Sequence, residues 1–400
     1  MTSAAHMRLR IRPPGIPRLV PALLEWFTRN ARDLPWRRTL DPYAIWTSEI
    51  MLQQTQVKTV IPYWQRWMRE LPDVRALAKA SPEKVLKLWE GLGYYTRARN
   101  LQKAAQQVVR EHGGRFPSAF DDILDLPGVG RYTAGAISSI AFNQVAPILD
   151  GNVIRVLTRL FGIAENPREN ETNARLWNLA EALVQHAATN HKQFSILNSP
   201  SFAARQSAAS ARRRQFSISG PCSALNQSLM ELGALLCTPR QPRCGACPVR
   251  RHCEARKTGR VEILPNLSKR PATTARRFAA FLVQRHRRWL VQQRPTGVVN
   301  AHLWEFPNIE IPDRTPIADA AARLFGPGIQ KLAPLTTIRH SITRYRISVE
   351  ASLATLADRG PFRGRANWLS LAELDRLPFT SAHRKLLDTL RRHQGMAADG

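Results

Sequence analysis

Apolar residues recur at three- and four-residue steps through the first half of the chain, a spacing that predicts amphipathic helices. The stretch PEKVLKLWEGLGYYTRARNLQKAAQQVVREH has this pattern, with a break at Gly91 and Gly93. A second such stretch is ETNARLWNLAEALVQHA. Because alternating, β-branched segments are rare in this half, residues 17–190 are predicted to be helical.

The pattern changes after residue 264. A polar, proline-bearing stretch at residues 264–275, LPNLSKRPATTA, is typical of a linker. Beyond it RRFAAFLVQR, RWLVQQR, LWEFPNIEI and RYRISVEAS predict strands, and IADAAARLF and SLAELDRL predict helices. We therefore expect a mainly α domain at residues 17–263 and a smaller α/β domain at residues 276–391.

Residues 189–222 differ from their surroundings. They are rich in serine and arginine and contain no acidic residue, so we expect a disordered insertion there. The stretch SALNQSLMELGALLC follows and predicts a helix that runs into a group of cysteines.

The charge of the chain favours a polyanionic partner. Lysine and arginine number 59 against 30 aspartates and glutamates, a net charge of +29, although an arginine-rich proteome would also give a basic surface. No run of 18 apolar residues occurs, so no membrane span is expected. The N-terminus is basic and broken by prolines, which is unlike a secretory signal.

Four of the five cysteines lie close together, in the spacing C-x6-C-x2-C-x5-C. These four are Cys237, Cys244, Cys247 and Cys253, and Cys222 stands apart. Without a secretory signal a metal or cluster site is favoured over disulfides. Zinc and a [4Fe–4S] cluster both accept four thiolates, and the spacing does not separate them.

The stretch LDLPGVGRYTAGAISS predicts a helix, a tight glycine hairpin and a second helix beginning at Thr133. The backbone N–H groups at Gly128, Val129 and Gly130 are candidates for holding a DNA phosphate without reading sequence. An ordinary turn between two helices explains the stretch equally well.

Two carboxylates complete the candidate chemistry. Glu49 lies in SEIMLQQTQV, and Asp150 lies in ILDGNVIRVLTR, twenty residues after Gly130. In isolation Asp150 would be a helix N-cap and Glu49 a solvated helix residue. Their conjunction with the hairpin and the cysteines favours a catalytic role.

Together, the hairpin, the downstream aspartate and the cysteine spacing resemble the helix-hairpin-helix glycosylase superfamily with its [4Fe–4S] loop. SEIMLQQTQV, GLGYYTRARNL, LPGVGRYTAGAI, LDGNVIRVLTR and NQSLMELGALLC resemble the adenine DNA glycosylase (MutY) family over residues 17–190 and 224–263. LWEFPNIEI resembles that family's MutT-like domain. The resemblance implies a cytoplasmic, nucleoid-associated bacterial monomer that excises adenine opposite 8-oxoguanine or guanine in duplex DNA.

The resemblance also implies residue roles. Glu49 would protonate adenine, Asp150 would stabilise the sugar cation, and Asn152 would support this site. Tyr132 stands where endonuclease III-like relatives carry a nucleophilic lysine, so strand cleavage is not expected. The base pocket would be lined by Trp36, Arg37, Leu52, Val57 and Gln227. Gln54 and Tyr94 would enter the helix near the lesion.

In the C-terminal domain the place for a magnesium-binding glutamate cluster reads RTPIADAAARLFG, which disfavours a metal-dependent hydrolase and favours lesion reading. The family's Phe-Ser-His loop aligns with Ile342, Thr343 and Arg344. Two alternatives stay open: an endonuclease III-like pyrimidine glycosylase/lyase, and a lesion-binding protein without catalysis. Tyr132 argues against the first, and Glu49 with Asp150 against the second.

Overall fold

The computed structural model of the protein describes residues 15–189, 217–268, 272–342, 344–356 and 366–398. The chain forms two compact units. The first contains Met1–Ala78 and Lys103–Lys269, and the second contains Lys79–Gln102 and Arg270–Gly400. Residues 79–102 therefore group with the second unit, whereas the sequence placed them in the helical domain; the domain boundaries stay a prediction.

Helices make up the first half, as predicted. In chain order they are α1 (Ile16–Asn30), α2 (Pro42–Leu52), α3 (Val57–Glu70), α4 (Val74–Lys79), α5 (Pro82–Trp89), α6 (Thr96–Glu111), α7 (Phe120–Leu124), α8 (Arg131–Phe142), α9 (Gly151–Phe161), α10 (Asn170–Thr189), α11 (Pro221–Leu235) and α12 (Glu254–Lys257). None of the helices in the described ranges is both long and apolar enough to cross a membrane.

Helix α11 lies at the centre of the first unit. Its residues are buried on nearly every side, and it packs against α1, α8, α9 and α10. Burial of its apolar side chains, such as Leu225 and Leu229, stabilises the fold. The same helix buries Gln227 and Glu231, whose polar groups need partners there.

Most of the predicted insertion, residues 190–216, lies outside the described residues. Its two ends are described: Thr189 closes α10, and α11 begins at Pro221, two residues before the predicted start. Between them the Ser217 N–H donates to the carbonyl of Arg37 at 2.8 Å. The ends are thus part of the helical unit.

The predicted hairpin joins α7 to α8. Helix α8 begins at Arg131, two residues before the predicted Thr133, because Gly130 is the N-cap and its carbonyl accepts from Ala134. Gly128 adopts a φ of +81°, the left-handed region that favours glycine. The Val129 N–H donates to the Leu126 carbonyl at 3.0 Å and so closes the turn. The sequence predicted that this N–H points outward to a phosphate, whereas the structure has it bonded inside the turn.

A mixed sheet forms the second unit. Its strands are β1 (Thr274–Arg285), β2 (Arg288–Gln293), β3 (Trp304–Glu305), β4 (Asn308–Ile311), β5 (Ile329–Ile342), β6 (Tyr345–Leu356) and β7 (Ala366–Leu369). The order is β3-β2-β1-β6-β5, with β4 on β1 and β7 on β2, and only the β1–β6 pair among these is parallel. Three later helices are α13 (Ile317–Phe325), α14 (Leu371–Arg376) and α15 (Ser381–Ala398).

Alternation along β1 builds a core on each face of this sheet. Ala280 and Leu282 belong to the core that contains Leu386 of α15. Phe281 and Val283 belong to the core that contains Phe325 of α13. Successive strand residues point to opposite faces, so one strand supports both layers of helices.

Candidate active site

Glu49 lies in a dry environment created by its own helix. Helix α2 is buried from Tyr43 to Met51, and only 6% of Glu49 is exposed. Burial raises the pKa of Glu49 to about 7, and the charge of Asp150 acts in the same direction. A hydrogen bond from Tyr132 and the charge of Arg37 oppose the shift. Glu49 therefore holds a proton in a large fraction of molecules at neutral pH.

Tyr132 reaches Glu49 from the second residue of α8, just after the hairpin. Its hydroxyl donates to Glu49 Oε2 at 2.9 Å and lies 3.3 Å from Met230 Sδ on α11. Burial, followed by the charge of Glu49, raises the pKa of the phenol well above its usual range. The phenol stays neutral and offers no amine to a sugar carbon.

Asp150 is the N-cap of α9, as its sequence context predicted. Its Oδ1 accepts from the backbone N–H groups of Asn152 at 3.0 Å and Val153 at 2.8 Å, and its Oδ2 accepts from Asn152 Nδ2 at 3.0 Å. Burial raises its pKa, whereas these three bonds favour the carboxylate. The cap fixes the carboxylate at the positive end of a helix.

Arg155 connects the Asp150 cap to the cysteine loop. Its Nη2 donates to Asn152 Oδ1 and to the Gly233 carbonyl, both at 2.8 Å, and its Nε donates to the Cys237 carbonyl at 2.6 Å. Helices α9 and α11 approach closely here, because a Cβ on Gly233 would lie 2.7 Å from Asn152 Cβ. Sequence reasoning missed Arg155.

Arg37 and Gln227, two predicted pocket residues, are in contact. Arg37 Nε donates to Gln227 Oε1 at 3.0 Å, and Arg37 Nη2 donates to Glu231 Oε2 at 3.0 Å. Burial opposes ionisation of Glu231, but hydrogen bonds from Arg32 and the charge of Arg37 lower its pKa to about 2. Sequence reasoning missed Glu231, although a single acid within the apolar run SLMELGALL is a recognisable clue.

The other predicted pocket residues lie around the ends of α2 and α3. Trp36 is buried with its ring edge-on to Trp64 at 6.0 Å, and Leu52 and Val57 are partly buried.

Gln54, between the two helices, is exposed and has a φ of +58°. Tyr94, in the second unit, is 46% exposed with a φ of +48°. Non-glycine residues in this conformation often mark functional positions.

The four clustered cysteines line one cavity together with Arg159. Arg159 is buried, and its Nη1 donates to Cys237 Sγ at 3.4 Å and to the Thr238 carbonyl at 2.8 Å. Cys222 does not line this cavity; it is buried near the start of α11. The structure thus brings together the four cysteines that the sequence grouped.

The predicted lesion loop is described in part, since Thr343 lies outside the described residues. Ile342 ends β5 and is partly buried. Arg344 is exposed, its guanidinium lies 5.2 Å from the Tyr345 ring centroid, and its carbonyl accepts from Thr274 N–H. The Arg344 side chain is therefore available at the surface.

Two family models match successive parts of this chain, in the order of the two predicted domains. Residues 47–182 match the family model of the HhH-GPD superfamily base excision DNA repair protein, and residues 279–389 match the NUDIX domain. The first match includes Glu49, Tyr132 and Asp150. These matches confirm the predicted fold class, a helix-hairpin-helix domain followed by a MutT-like domain.

Several curated relatives carry the name adenine DNA glycosylase. That of Rattus norvegicus is 44% identical over 61% of this chain and 43% of its own length. That of Buchnera aphidicola subsp. Schizaphis graminum is 33% identical over 73% of this chain and 75% of its own. That of Schizosaccharomyces pombe is 31% identical over 74% and 70%. The chain thus spans less than half of the rat relative and about three quarters of the Buchnera relative.

We predict that Glu49→Gln stabilises the protein at high pH. The folded-state pKa of Glu49 is about 7 against an ordinary value of 4.5, so its stability contribution is present below pH 4.5 and is lost as the pH rises through 7. Urea unfolding should find Glu49→Gln more stable than wild type by up to about 3 kcal/mol at pH 8, and nearly equal to it at pH 4. Glu25→Gln, which removes an exposed ion pair with Arg29, is the control. Equal pH dependence in all three proteins would contradict the raised pKa.

We predict that Gly233→Ala destabilises the first unit by about 1–3 kcal/mol, because the new methyl group overlaps Asn152. Thermal unfolding should report the loss. Gly151→Ala is the matched control, since no described atom lies within 4 Å of where its Cβ would be. Equal melting temperatures for the two variants would contradict the close packing of α9 on α11.

Proposed function

This chain belongs to the adenine DNA glycosylase family, and we propose that it removes adenine opposite 8-oxoguanine or guanine from duplex DNA by hydrolysing the N-glycosidic bond. The observation that carries the proposal is Glu49, a buried carboxyl with a pKa of about 7 beside a capped Asp150. The names of the relatives support the removal of adenine from DNA.

Protonation is the first step. Adenine is a poor leaving group unless it is protonated, and it must leave the base stack to be reached. Glu49 donates its proton to N7, the C1′–N9 bond breaks, and the electron pair of that bond stays with adenine. A general acid is most effective when its pKa lies near the working pH, which the burial of Glu49 provides.

Asp150 acts on the sugar. The departing base leaves an oxocarbenium-like cation at C1′, and the Asp150 carboxylate stabilises it and can bond to it transiently. Three hydrogen bonds favour the charged form of Asp150 and oppose the effect of burial, which raises its pKa. Glu49, now ionised, takes a proton from water, whose oxygen bonds to C1′ and gives an abasic site.

Tyr132 limits the reaction to base removal. Strand cleavage by a lyase starts with an amine that forms a Schiff base with the sugar. A neutral phenol bonded to Glu49 supplies no such amine. This supports a monofunctional glycosylase over an endonuclease III-like glycosylase/lyase.

The hairpin and the basic surface support DNA as the partner. The net charge of +29 favours a polyanion. Gly130 caps α8, and no described atom lies within 4 Å of where its Cβ would be. The open space at a helix N-terminus suits the close approach of a phosphate.

The four cysteines support a [4Fe–4S] cluster. A single zinc ion needs its sulfurs about 2.3 Å from one centre. All four cysteines line one cavity, and their spacing resembles the loop that holds a [4Fe–4S] cluster in helix-hairpin-helix glycosylases. A cluster with one cysteine per iron fits this arrangement. A cluster would be held by Cys237, Cys244, Cys247 and Cys253 and would brace the loop between them, and the proposed hydrolysis needs no electron from it.

We assign lesion reading to the MutT-like domain. The stretch RTPIADAAARLFG, where a metal-dependent hydrolase would carry its glutamate cluster, contains no glutamate, and its Ala320 and Ala321 are packed in the core. The exposed Arg344 suits a phosphate contact beside the base opposite adenine.

We predict that Glu49→Gln and Asp150→Asn each abolish excision and retain DNA binding. Losing the general acid should cost on the order of 10²-fold or more in the single-turnover rate. Duplexes with A opposite 8-oxoguanine, A opposite G, and thymine glycol should be compared with and without alkali. Wild type should release adenine and leave sites that break only after alkali, and borohydride should trap little protein–DNA adduct. Efficient trapping or cleavage at thymine glycol would favour the lyase alternative.

We predict that purified protein is brown and contains about four irons per chain. Cys244→Ser should lose iron, because Cys244 lines the cavity, and Cys222→Ser should keep it, because Cys222 does not. Iron analysis and the visible absorption spectrum give the result. Stoichiometric zinc without iron in anaerobically purified wild type would overturn the cluster.

A further inference from the structure

We propose that Glu231 is a positioning residue for adenine excision: its ion pairs hold the Arg37 guanidinium against Gln227 and balance the charge that Arg37 places near Glu49. The inference rests on the proposed function, because it assigns Gln227 to the base pocket and Glu49 to proton transfer.

Glu231 has partners for both of its carboxylate oxygens. Oε1 accepts from Arg32 N at 2.8 Å and Arg32 Nε at 2.9 Å. Oε2 accepts from Arg32 Nη2 at 2.9 Å and Arg37 Nη2 at 3.0 Å. The Glu231 side chain is 1% exposed and that of Arg37 is 9% exposed, whereas Arg32 is 34% exposed. Removing one partner of a buried pair leaves the other charge uncompensated.

Arg37 in turn orients Gln227. Arg37 Nε donates to Gln227 Oε1 at 3.0 Å, and Gln227 Nε2 donates to Ser223 Oγ at 3.1 Å. An amide with both ends bonded has one orientation, so its remaining hydrogen-bonding positions are fixed for a base. A chain of buried contacts therefore runs from Glu231 through Arg37 to the pocket amide.

The same chain sets the charge around Glu49. The groups that act on Glu49 are Tyr132 of α8, Asp150 before α9, and Arg37 before α2. Asp150 itself is influenced by Arg155. An unbalanced cation near a buried carboxyl favours its ionised form. A general acid has to hold its proton. The negative charge of Glu231 offsets the positive charge of Arg37 and so favours the protonated form of Glu49.

The test measures the titration of Glu49 directly. Protein labelled with ¹³C at glutamate side-chain carboxyls is titrated by NMR, and the Glu49 resonance is the one missing from Glu49→Gln. In Glu231→Gln its midpoint should fall by about 0.5 pH unit or more, because Arg37 becomes uncompensated. In Glu231→Gln/Arg37→Gln it should return toward or above the wild-type midpoint. Glu231→Asp, which keeps the charge, and Glu25→Gln should stay at the wild-type midpoint.

Single-turnover adenine release from A opposite 8-oxoguanine is measured on the same proteins. In Glu231→Gln the loss of rate at high pH should move to lower pH, whereas a purely structural defect would lower the rate at all pH values alike. Arg37→Gln alone should raise the Glu49 midpoint, which keeps the test decisive if Glu231→Gln does not fold. If the Glu49 titration midpoint is unshifted in either variant while wild type still excises adenine, the proposed role of Glu231 is wrong. If wild type releases no adenine, the proposed function is wrong. The NMR titration would still test whether Glu231 and Arg37 set the titration midpoint of Glu49.

Discussion

The candidate active site depends on keeping two carboxyl groups out of water. Burial raises the pKa of Glu49 and Asp150 alike, and their different partners then separate them. Glu49 accepts a bond from a neutral phenol, whereas Asp150 accepts three bonds at a helix N-terminus. Burial therefore favours a proton on Glu49, whereas the hydrogen bonds to Asp150 oppose its protonation, a difference that suits the two roles in the proposed reaction.

Helix α11 joins the parts of the site. Gln227 and Glu231 reach toward Arg37, Met230 lies against the Tyr132 hydroxyl, and Gly233 admits α9 and its cap. The helix then leads into Cys237, whose carbonyl accepts from Arg155. Because one buried helix contacts Tyr132 and Arg37 and leads into the cysteine loop, a change in its packing reaches all three.

The sequence predicted features whose cause is local. The N-cap role of Asp150 follows from its place before a helix, and β1 follows from its alternation. The ion pair between Arg37 and Glu231 joins residues 194 positions apart and leaves no periodic trace. Strand β5 was missed because its exposed positions interrupt the apolar pattern. The grouping of residues 79–102 with the second unit likewise depends on tertiary contacts that helical periodicity does not encode.

In the proposed reaction, the position of Tyr132 makes acid catalysis by Glu49 and amine chemistry at residue 132 compete. Its hydroxyl lies 2.9 Å from Glu49 and is neutral, so it bonds to the carboxyl without adding charge. An ammonium group in its place would lower the pKa of Glu49 by roughly 1–3 units, as an opposite charge within a few ångströms does. The carboxyl would then be ionised at neutral pH and unable to protonate adenine. Within this geometry, a site that gains an amine nucleophile at position 132 weakens its general acid, and a phenol preserves it.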